Sequence, residues 1–541
     1  MLVVMKTSLR KLLFLISLSL PFKIEAQVLK GPLGETFERR VVAKGLSDPW
    51  EITYGPDKKL WITETKGYRV SLIDPATGNK QIILDLNAQK NFPRYDIIAD
   101  EIDGGKKLPQ GGLMGMALHP RLLKDKPYVY LAYVYYFSGA DKNQQNNNTG
   151  SGKNYYKAKI ARYRFDREAQ KLTDPVVLCD TIPANNDHNG GRLLIAPVNE
   201  KLYLFYSVGD MGAGQFDNGG RKNHAQDTNS YEGKILRFNT EPDGNLKVAN
   251  QWIPDDNPFN STAKSAVWSV GHRNPQGLAY AVIGNKDKIY SSEHGPYSDD
   301  EINIIQKGKN YGHPLVIGFN DGNYNGLAAG VSDKKEYPGK WHTSYPFIQN
   351  ENANVEKIGK ENYSNPIFTL YPNSNQFLSS LYEKRVSGTA EDVKWPSEAP
   401  SSIEFYNSTA IPGWEKSLLL PTLKGNKIIR LQLNATGDVV VGDTINYFKA
   451  KVRYRDIAVS DDGLKIYAVT DSSSVTSGPT EENSEKTYMG GSVIEFSYQA
   501  KSNKANNNNN SKKQNSNDLK AQKQPLIERK RGKLELRKEQ E

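Results

Sequence analysis

The sequence predicts an all-β protein: a six-bladed β-propeller of four-stranded antiparallel blades, with long loops inserted between them. Three observations predict it. One pattern recurs six times: a turn residue, a short aliphatic stretch, a polar turn, then a strand ending in small or acidic residues. Short strands repeated at a long period are what a propeller requires. Strand and turn formers are both abundant (Tyr 30, Gly 45, Pro 28). Cys179 is the single cysteine, so no disulfide scaffold holds the chain, and its fold rests on a core or on bound metal.

The repeats run in order. The first is "PWEITYGPDKKLWITET" from Pro49, followed by the strand "YRVSLIDPATG". The second, "GGLMGMALHPRLLKDKPYVYLAY" from Gly111, is followed by "KIARYRFD". "GGRLLIAPVNEKLYLFYSVGD" from Gly190 precedes "GKILRFNTEPDG", and "NPQGLAYAVIGNKDKIYSSEHG" from Asn274 precedes "DEINIIQKG". The last two are "PSSIEFYNSTAIPGWEKSLLLPTLKG" from Pro400 with "KIIRLQLNATG", and "RYRDIAVSDDGLKIYAVTDSS" from Arg453 with "SVIEFSYQ". The longest gap falls between the fourth and fifth copies, where a functional or disordered insertion is expected.

The two ends differ from the body. Lys6, Arg10 and Lys11 precede the apolar run "LLFLISLSLPF", and "KIEA" ends in Ala26. Residues 1–26 therefore read as a secretory signal peptide, shorter in its apolar core than a membrane span, with a retained N-terminal anchor as the alternative. Residues 501–541, with "NNNNN" and a basic surplus of seven, read as a low-complexity disordered tail. Net charge is +10 and mean hydropathy −0.65, yet leader and tail account for the whole surplus. The body from 27 to 500 is neutral, which argues against nucleic acid as a partner. No integral membrane segment is expected after the leader, and the location is periplasmic or secreted.

A propeller gathers the starts of its inner strands around one channel. That brings together Gln110, "NDHNGGR" (186–192), "GHRNPQG" (271–277), "WPSEAPSS" (395–402) and "RYRD" (453–456). Asp187 and His188 form an imidazole beside a carboxylate at a loop tip, a candidate general base, although a histidine in such a turn is often only surface. Arg273, Lys424, Arg453 and Arg455 are four cations around one channel. Arg453 and Arg455 alternate onto one strand face, where like charges need an anion between them. The turn "EHGPYSDDEI" (293–302) offers hard oxygen ligands suited to calcium, or is an acidic turn without metal.

"GHRNPQGLAY", "GPYSDDEINII", "NDHNGGRL" and "RYRDIAVSDDG" resemble the soluble PQQ-dependent glucose dehydrogenases of the glucose/sorbosone dehydrogenase family, over about residues 38–500. The resemblance implies an exported propeller holding pyrroloquinoline quinone (PQQ) with calcium, oxidising aldose sugars to lactones. By position, His188 is the base, Asp187 orients it and contacts the sugar, and Gln110, Gln215 and Trp395 face the sugar. Arg273 stabilises charge on the quinone, while Asn274, Ser397, Lys424, Arg453 and Arg455 hold the cofactor. The implied anion between the paired arginines is a PQQ carboxylate. Gly295 and Pro296 bind calcium through their carbonyls, and Glu301, Tyr311, Ile317 and Asp321 match a second, structural calcium site. A homodimer is implied by resemblance alone, and the electron acceptor stays unassigned.

Ser397 stands where the family pattern has Thr, Asp392 where it has an aromatic residue, and Phe216 where it has an aliphatic one. The family's cysteine pair near Trp395 is absent. These differences leave the cofactor positions intact and alter the sugar side. The alternatives are a quinoprotein acting on another sugar or polyol, and a calcium-dependent propeller lactonase or carbohydrate-binding protein.

Overall fold

The computed structural model describes residues 27–87, 110–135, 137, 156–185, 187–215, 218–389, 396–472 and 489–500. The expected leader and tail, and Phe216, Asp392 and Trp395, lie outside the described residues.

Six antiparallel sheets form the blades. Blade 1 is Pro49–Tyr54, Leu60–Glu64, Arg69–Ile73 and Lys80–Asp85. Blade 2 is Leu113–Leu118, Tyr128–Val134, Tyr156–Asp166 and Lys171–Ala184, and blade 3 is Leu193–Val198, Lys201–Val208, Lys234–Asn239 and Val267–Val270. Blade 4 is Pro275–Ile283, Lys286–Glu293, Asp300–Ile304 and Phe368–Leu370. Blade 5 is Glu404–Tyr406, Ser417–Pro421, Ile428–Leu433 and Val440–Tyr447. Each of the six repeats opens one blade, and the strand quoted after it is that blade's third.

Blade 6 closes the ring. Tyr454–Val459, Lys465–Thr470 and Val493–Tyr498 are joined by Thr36–Ala43 and then Gln27–Lys30 from the other end of the chain. Phe37 pairs with Tyr498 and Val41 with Ile494. Glu35 secures this closure, accepting hydrogen bonds on Oε1 from Trp414 Nε1 at 2.9 Å and from the Tyr447 hydroxyl at 2.7 Å. The repeat pattern did not reveal this pairing, because its partners lie some 450 residues apart and neither strand alternates cleanly.

Between the third and fourth strands of blade 4 lies an insertion, residues 305–367. It holds a short hairpin (Leu327–Ala328 with Phe347–Ile348) and helix α1 (Glu351–Ile358), whose N-cap Asn350 accepts from Ala353 N. Helix α2 (Asn375–Val386) follows the blade. Tyr324, Trp341, Tyr345 and Tyr382 build an aromatic core beneath it. No helix among the described residues is long and apolar enough to cross a membrane.

At the centre, the buried guanidinium of Arg192 (2% exposed) ties five blades together. It stacks on Trp50 and pairs with Glu51 in blade 1. It donates to Asp456 Oδ2 of blade 6 at 2.9 Å, to the Gln276 carbonyl of blade 4 at 2.9 Å, and to the Ser401 carbonyl before blade 5 at 3.2 Å. Five N–H donors in a fixed fork suit this hub.

Candidate active site

First and second strands of a blade run antiparallel, so the loop before the first and the residues after the second meet at one end of the channel. The loops bring His188, Arg273, Ser397 and Arg453. In four blades an acid stands at the end of the second strand or one or two residues beyond it: Glu64, Asp210, Glu293 and Asp471.

His188 is 5% exposed and holds a φ of +47°, a region side chains rarely adopt. Its carbonyl presses on Gly209, where a Cβ would collide with it; only glycine fits that close approach.

A chain of hydrogen bonds then fixes the state of the ring. Arg273 Nη2 donates to Gln215 Oε1 at 2.6 Å, and because a guanidinium only donates, the Gln215 amide nitrogen must face the other way. That nitrogen reaches Asp187 Oδ2 at 3.1 Å and His188 Nε2 at 2.9 Å. His188 Nε2 therefore accepts, and the proton sits on Nδ1, 2.7 Å from Asp210 Oδ1.

The carboxylate that orients the imidazole is thus Asp210, not Asp187. Asp187 instead accepts the His188 backbone N–H at 3.1 Å and stays about 4.0 Å from Nε2. Burial opposes the Asp210 charge, but His188 and His313 beside it prevail and hold the carboxyl well below its ordinary value.

Arg273 is steered by Glu293, which accepts its backbone N–H at 2.9 Å, and donates Nη1 to the His294 carbonyl at 3.1 Å. Its Nε is buried with no partner among the described residues. Burial first, then the nearby Arg273, His188 and Arg455, push His294 down to about 3, so it remains neutral and donates to the Pro400 carbonyl at 3.0 Å. Asn274 accepts from Gly190 N at 3.2 Å, behind His188, and the Gln110 carbonyl accepts from Asn189 at 3.0 Å.

The anion between Arg453 and Arg455 in this structure is the protein's own Asp471. Arg455 takes it with two prongs, Nε at 2.8 Å and Nη2 at 2.7 Å, and Arg453 reaches it through Nε at 3.4 Å. Gln276 Oε1 accepts from Arg455 Nη1 at 2.9 Å. Of the five Arg455 N–H groups these bonds use three. Asp48 adds a second, weaker acidic influence on Arg453.

The turn at Gly295 and Pro296 is held from below by Asp300. It accepts from Gly295 N at 3.0 Å, Glu398 N at 2.7 Å, Ala399 N at 3.2 Å and the Ser397 hydroxyl at 2.9 Å. Burial pushes its carboxyl up to about 6. The same loop meets Lys424, whose backbone N–H donates to the Glu398 carbonyl at 3.2 Å. Among the described residues, neither the Gly295 nor the Pro296 carbonyl accepts a hydrogen bond.

The second predicted metal group is only partly assembled. Glu301 accepts from Gly318 N at 2.9 Å, and Glu351, which the sequence did not point to, accepts from Ile317 N at 3.0 Å and Gly322 N at 2.9 Å. Asp321 lies on that loop, and burial pushes Glu351 up to about 7, with Asp321 adding to the shift. Tyr311 points elsewhere: its hydroxyl donates to the Ile304 carbonyl at 2.6 Å and its ring stacks on His272. Among the described residues no three His, Cys, Asp or Glu side chains converge as a ready metal-ligand set.

Comparison with known proteins follows the same lines. The Glucose / Sorbosone dehydrogenase family profile matches residues 46–346 and 354–476. The chain is 33% identical over 487 residues to quinoprotein glucose dehydrogenase B of Acinetobacter calcoaceticus, covering 86% of this chain and 92% of that one. It is 28% identical over 371 residues to aldose sugar dehydrogenase YliI of Escherichia coli, covering 68% and 76%. Its fold is similar to the apo-form soluble aldose sugar dehydrogenase of Escherichia coli (TM-score 0.56, 23% identity, 86% and 100% covered). It is similar too to the PQQ-bound aldose sugar dehydrogenase of Streptomyces coelicolor (TM-score 0.53, 21% identity, 88% and 99% covered). At those structural identities the likeness is one of fold.

Proposed function

The chain belongs to the glucose/sorbosone dehydrogenase family, and on that premise we propose that it oxidises an aldose at the anomeric carbon to the lactone, with PQQ and calcium resident in the channel mouth. It is an oxidoreductase of the PQQ-dependent sugar-dehydrogenase kind. One observation carries the mechanism: the bonds from Arg273 through Gln215 leave His188 Nε2 as an acceptor. A sugar hydroxyl that replaces the Gln215 amide at Nε2 hands its proton there, and Asp210 stabilises the imidazolium so formed. As C1 gives up a hydride, the C1–O bond becomes the lactone carbonyl. Arg273, whose side chain meets only neutral acceptors among the described residues, is placed to stabilise the negative charge that develops.

The residues fit the cofactor. PQQ is a tricarboxylate, and the guanidiniums of Arg453 and Arg455, the Arg273 Nε that has no partner among the described residues, and Lys424 suit it, with Asn274 and Ser397 adding neutral contacts. The open Gly295 and Pro296 carbonyls suit calcium. When bound, the quinone supplies a two-electron acceptor and the ion a Lewis acid. A second, structural calcium would draw on Glu301, Asp321, Glu351 and the carbonyls of Tyr311 and Ile317. Asp187, Gln110, Gln215 and Trp395 form the sugar side, and the leader exports the enzyme from the cytoplasm. The test of the reaction site is a methyl glycoside of an accepted aldose. It lacks the anomeric hydroxyl and is expected to be inert; its oxidation at a similar rate would move the chemistry to another hydroxyl.

A further inference from the structure

Asp210 Oδ1, which faces His188, is only half of that carboxylate's environment. Its other oxygen, Oδ2, accepts from His313 Nε2 at 2.8 Å, from Asn223 Nδ2 at 2.9 Å and from the Tyr345 hydroxyl at 3.1 Å. Asn223 lies between the second and third strands of blade 3, whereas His313 and Tyr345 belong to the insertion of blade 4. The Tyr345 ring is itself locked. It packs on Gly214, where a Cβ would strike it, and meets the His313 ring edge-on at 5.6 Å.

We propose that Tyr345 is a positioning residue for the base: with His313 it anchors the outer oxygen of Asp210, so that the inner oxygen holds His188 in the single tautomer that leaves Nε2 able to accept a proton. This rests on the dehydrogenase reading above. The insertion is then part of the catalytic apparatus rather than surface elaboration. Without the outer anchors, Asp210 Oδ1 keeps, among the described residues, Gly212 N at 2.9 Å besides His188 itself. Burial, with Asp210 adding, holds the Tyr345 phenol well above its usual range, so it is a donor at every working pH.

The groups around the base are few. Asp210 and Asp187 face the His188 ring with Gln215, and Arg273 and His294 stand beyond them. Taking the hydroxyl from Asp210 makes the carboxylate more basic and tightens its hold on the Nδ1 proton. Imidazolium is then favoured, and a higher pH is needed to free Nε2.

The experiment compares kcat/KM for an aldose against pH in the PQQ- and calcium-loaded wild type, Tyr345→Phe, His313→Gln and His313→Phe. Tyr345→Phe removes one oxygen and keeps the ring. Its acid limb is expected to move up by about half a unit, with PQQ affinity by calorimetry unchanged. His313→Gln retains an N–H donor and should keep the wild-type limb more closely than His313→Phe. An acid limb for Tyr345→Phe that superimposes on the wild type, whatever its melting temperature, overturns the proposal, and this variant decides alone if the histidine variants do not fold. Absence of sugar turnover in the loaded wild type is a different result: it removes the dehydrogenase reading and this inference with it.

Discussion

Arg455 and Asp471 form a two-pronged ion pair, Nε to Oδ1 at 2.8 Å and Nη2 to Oδ2 at 2.7 Å. Asp471 directly follows the second strand of blade 6 and Arg455 sits near the start of the first, so one antiparallel pair brings both to the channel. The pair does two things. It offsets part of the like charge that Arg453 and Arg455 bring together, and it leaves two N–H groups of Arg455 outside these bonds, where the proposed PQQ carboxylate would take them.

Those two roles separate by mutation. Arg455→Ala should weaken PQQ binding by about 1.5–3 kcal/mol and also lower the melting temperature of the apoprotein, since Asp471 loses its better partner. Adding Asp471→Asn should lower the melting temperature further, because buried Arg453 then loses its carboxylate, and should recover none of the affinity. Calorimetric titration of PQQ alongside thermal unfolding checks both; recovered affinity in the double variant would reduce Arg455 to a structural counter-charge.

The base and its orienter should fail together. His188→Ala and Asp210→Asn are each expected to cut sugar turnover by roughly 10²-fold or more, while PQQ uptake, which depends on the cations, persists. In Asp210→Asn an amide nitrogen can face Nδ1 and favour the wrong tautomer. Near-wild-type turnover in either variant removes that residue from the mechanism.

Asp210 also makes a pH prediction. Its folded-state value lies well below the ordinary 3.8, so its charge stabilises the fold above that pH and the contribution is lost as pH falls below it. The melting-temperature gap between wild type and Asp210→Asn should be widest near neutrality and shrink towards about pH 3. A gap that widens with acid would contradict the assignment.

Calcium should act at two places with different signatures. Chelation is expected to abolish sugar-dependent dye reduction, with recovery on adding calcium back, because the Gly295 and Pro296 carbonyls are the proposed ligands of the ion that serves the cofactor. Glu351→Gln should blunt the rise in melting temperature that calcium gives the apoprotein, yet leave PQQ affinity alone. Calcium-independent melting of the wild type would remove the second ion.

The blades were legible because turn residues and aliphatic strands recur in one order, which placed the segments carrying His188, Arg273 and Arg453 at one end of the channel. The acids at the ends of the second strands were legible as a pattern too: "SVGD" carries Asp210 and "VTDS" carries Asp471. What they pair with was not, because facing is decided by strand geometry across a blade and not by spacing along it. Hence Asp187, a sequence neighbour of His188, looked like its orienter, and Asp471 was passed over as the anion between the arginines. Tyr345 and His313 were invisible for a related reason, lying in an insertion that has no counterpart in the other repeats.

The central claim is that this channel takes up PQQ and spends it on an aldose through His188. Purified apoprotein titrated with PQQ in the presence of calcium, then mixed with an aldose and an artificial dye, tests it most directly. Dye reduction should appear in proportion to bound PQQ, saturate with it, and vanish in a His188→Ala protein that still binds the cofactor. Dye reduction that needs no PQQ, or PQQ saturation that leaves every aldose tested unoxidised, would contradict the account.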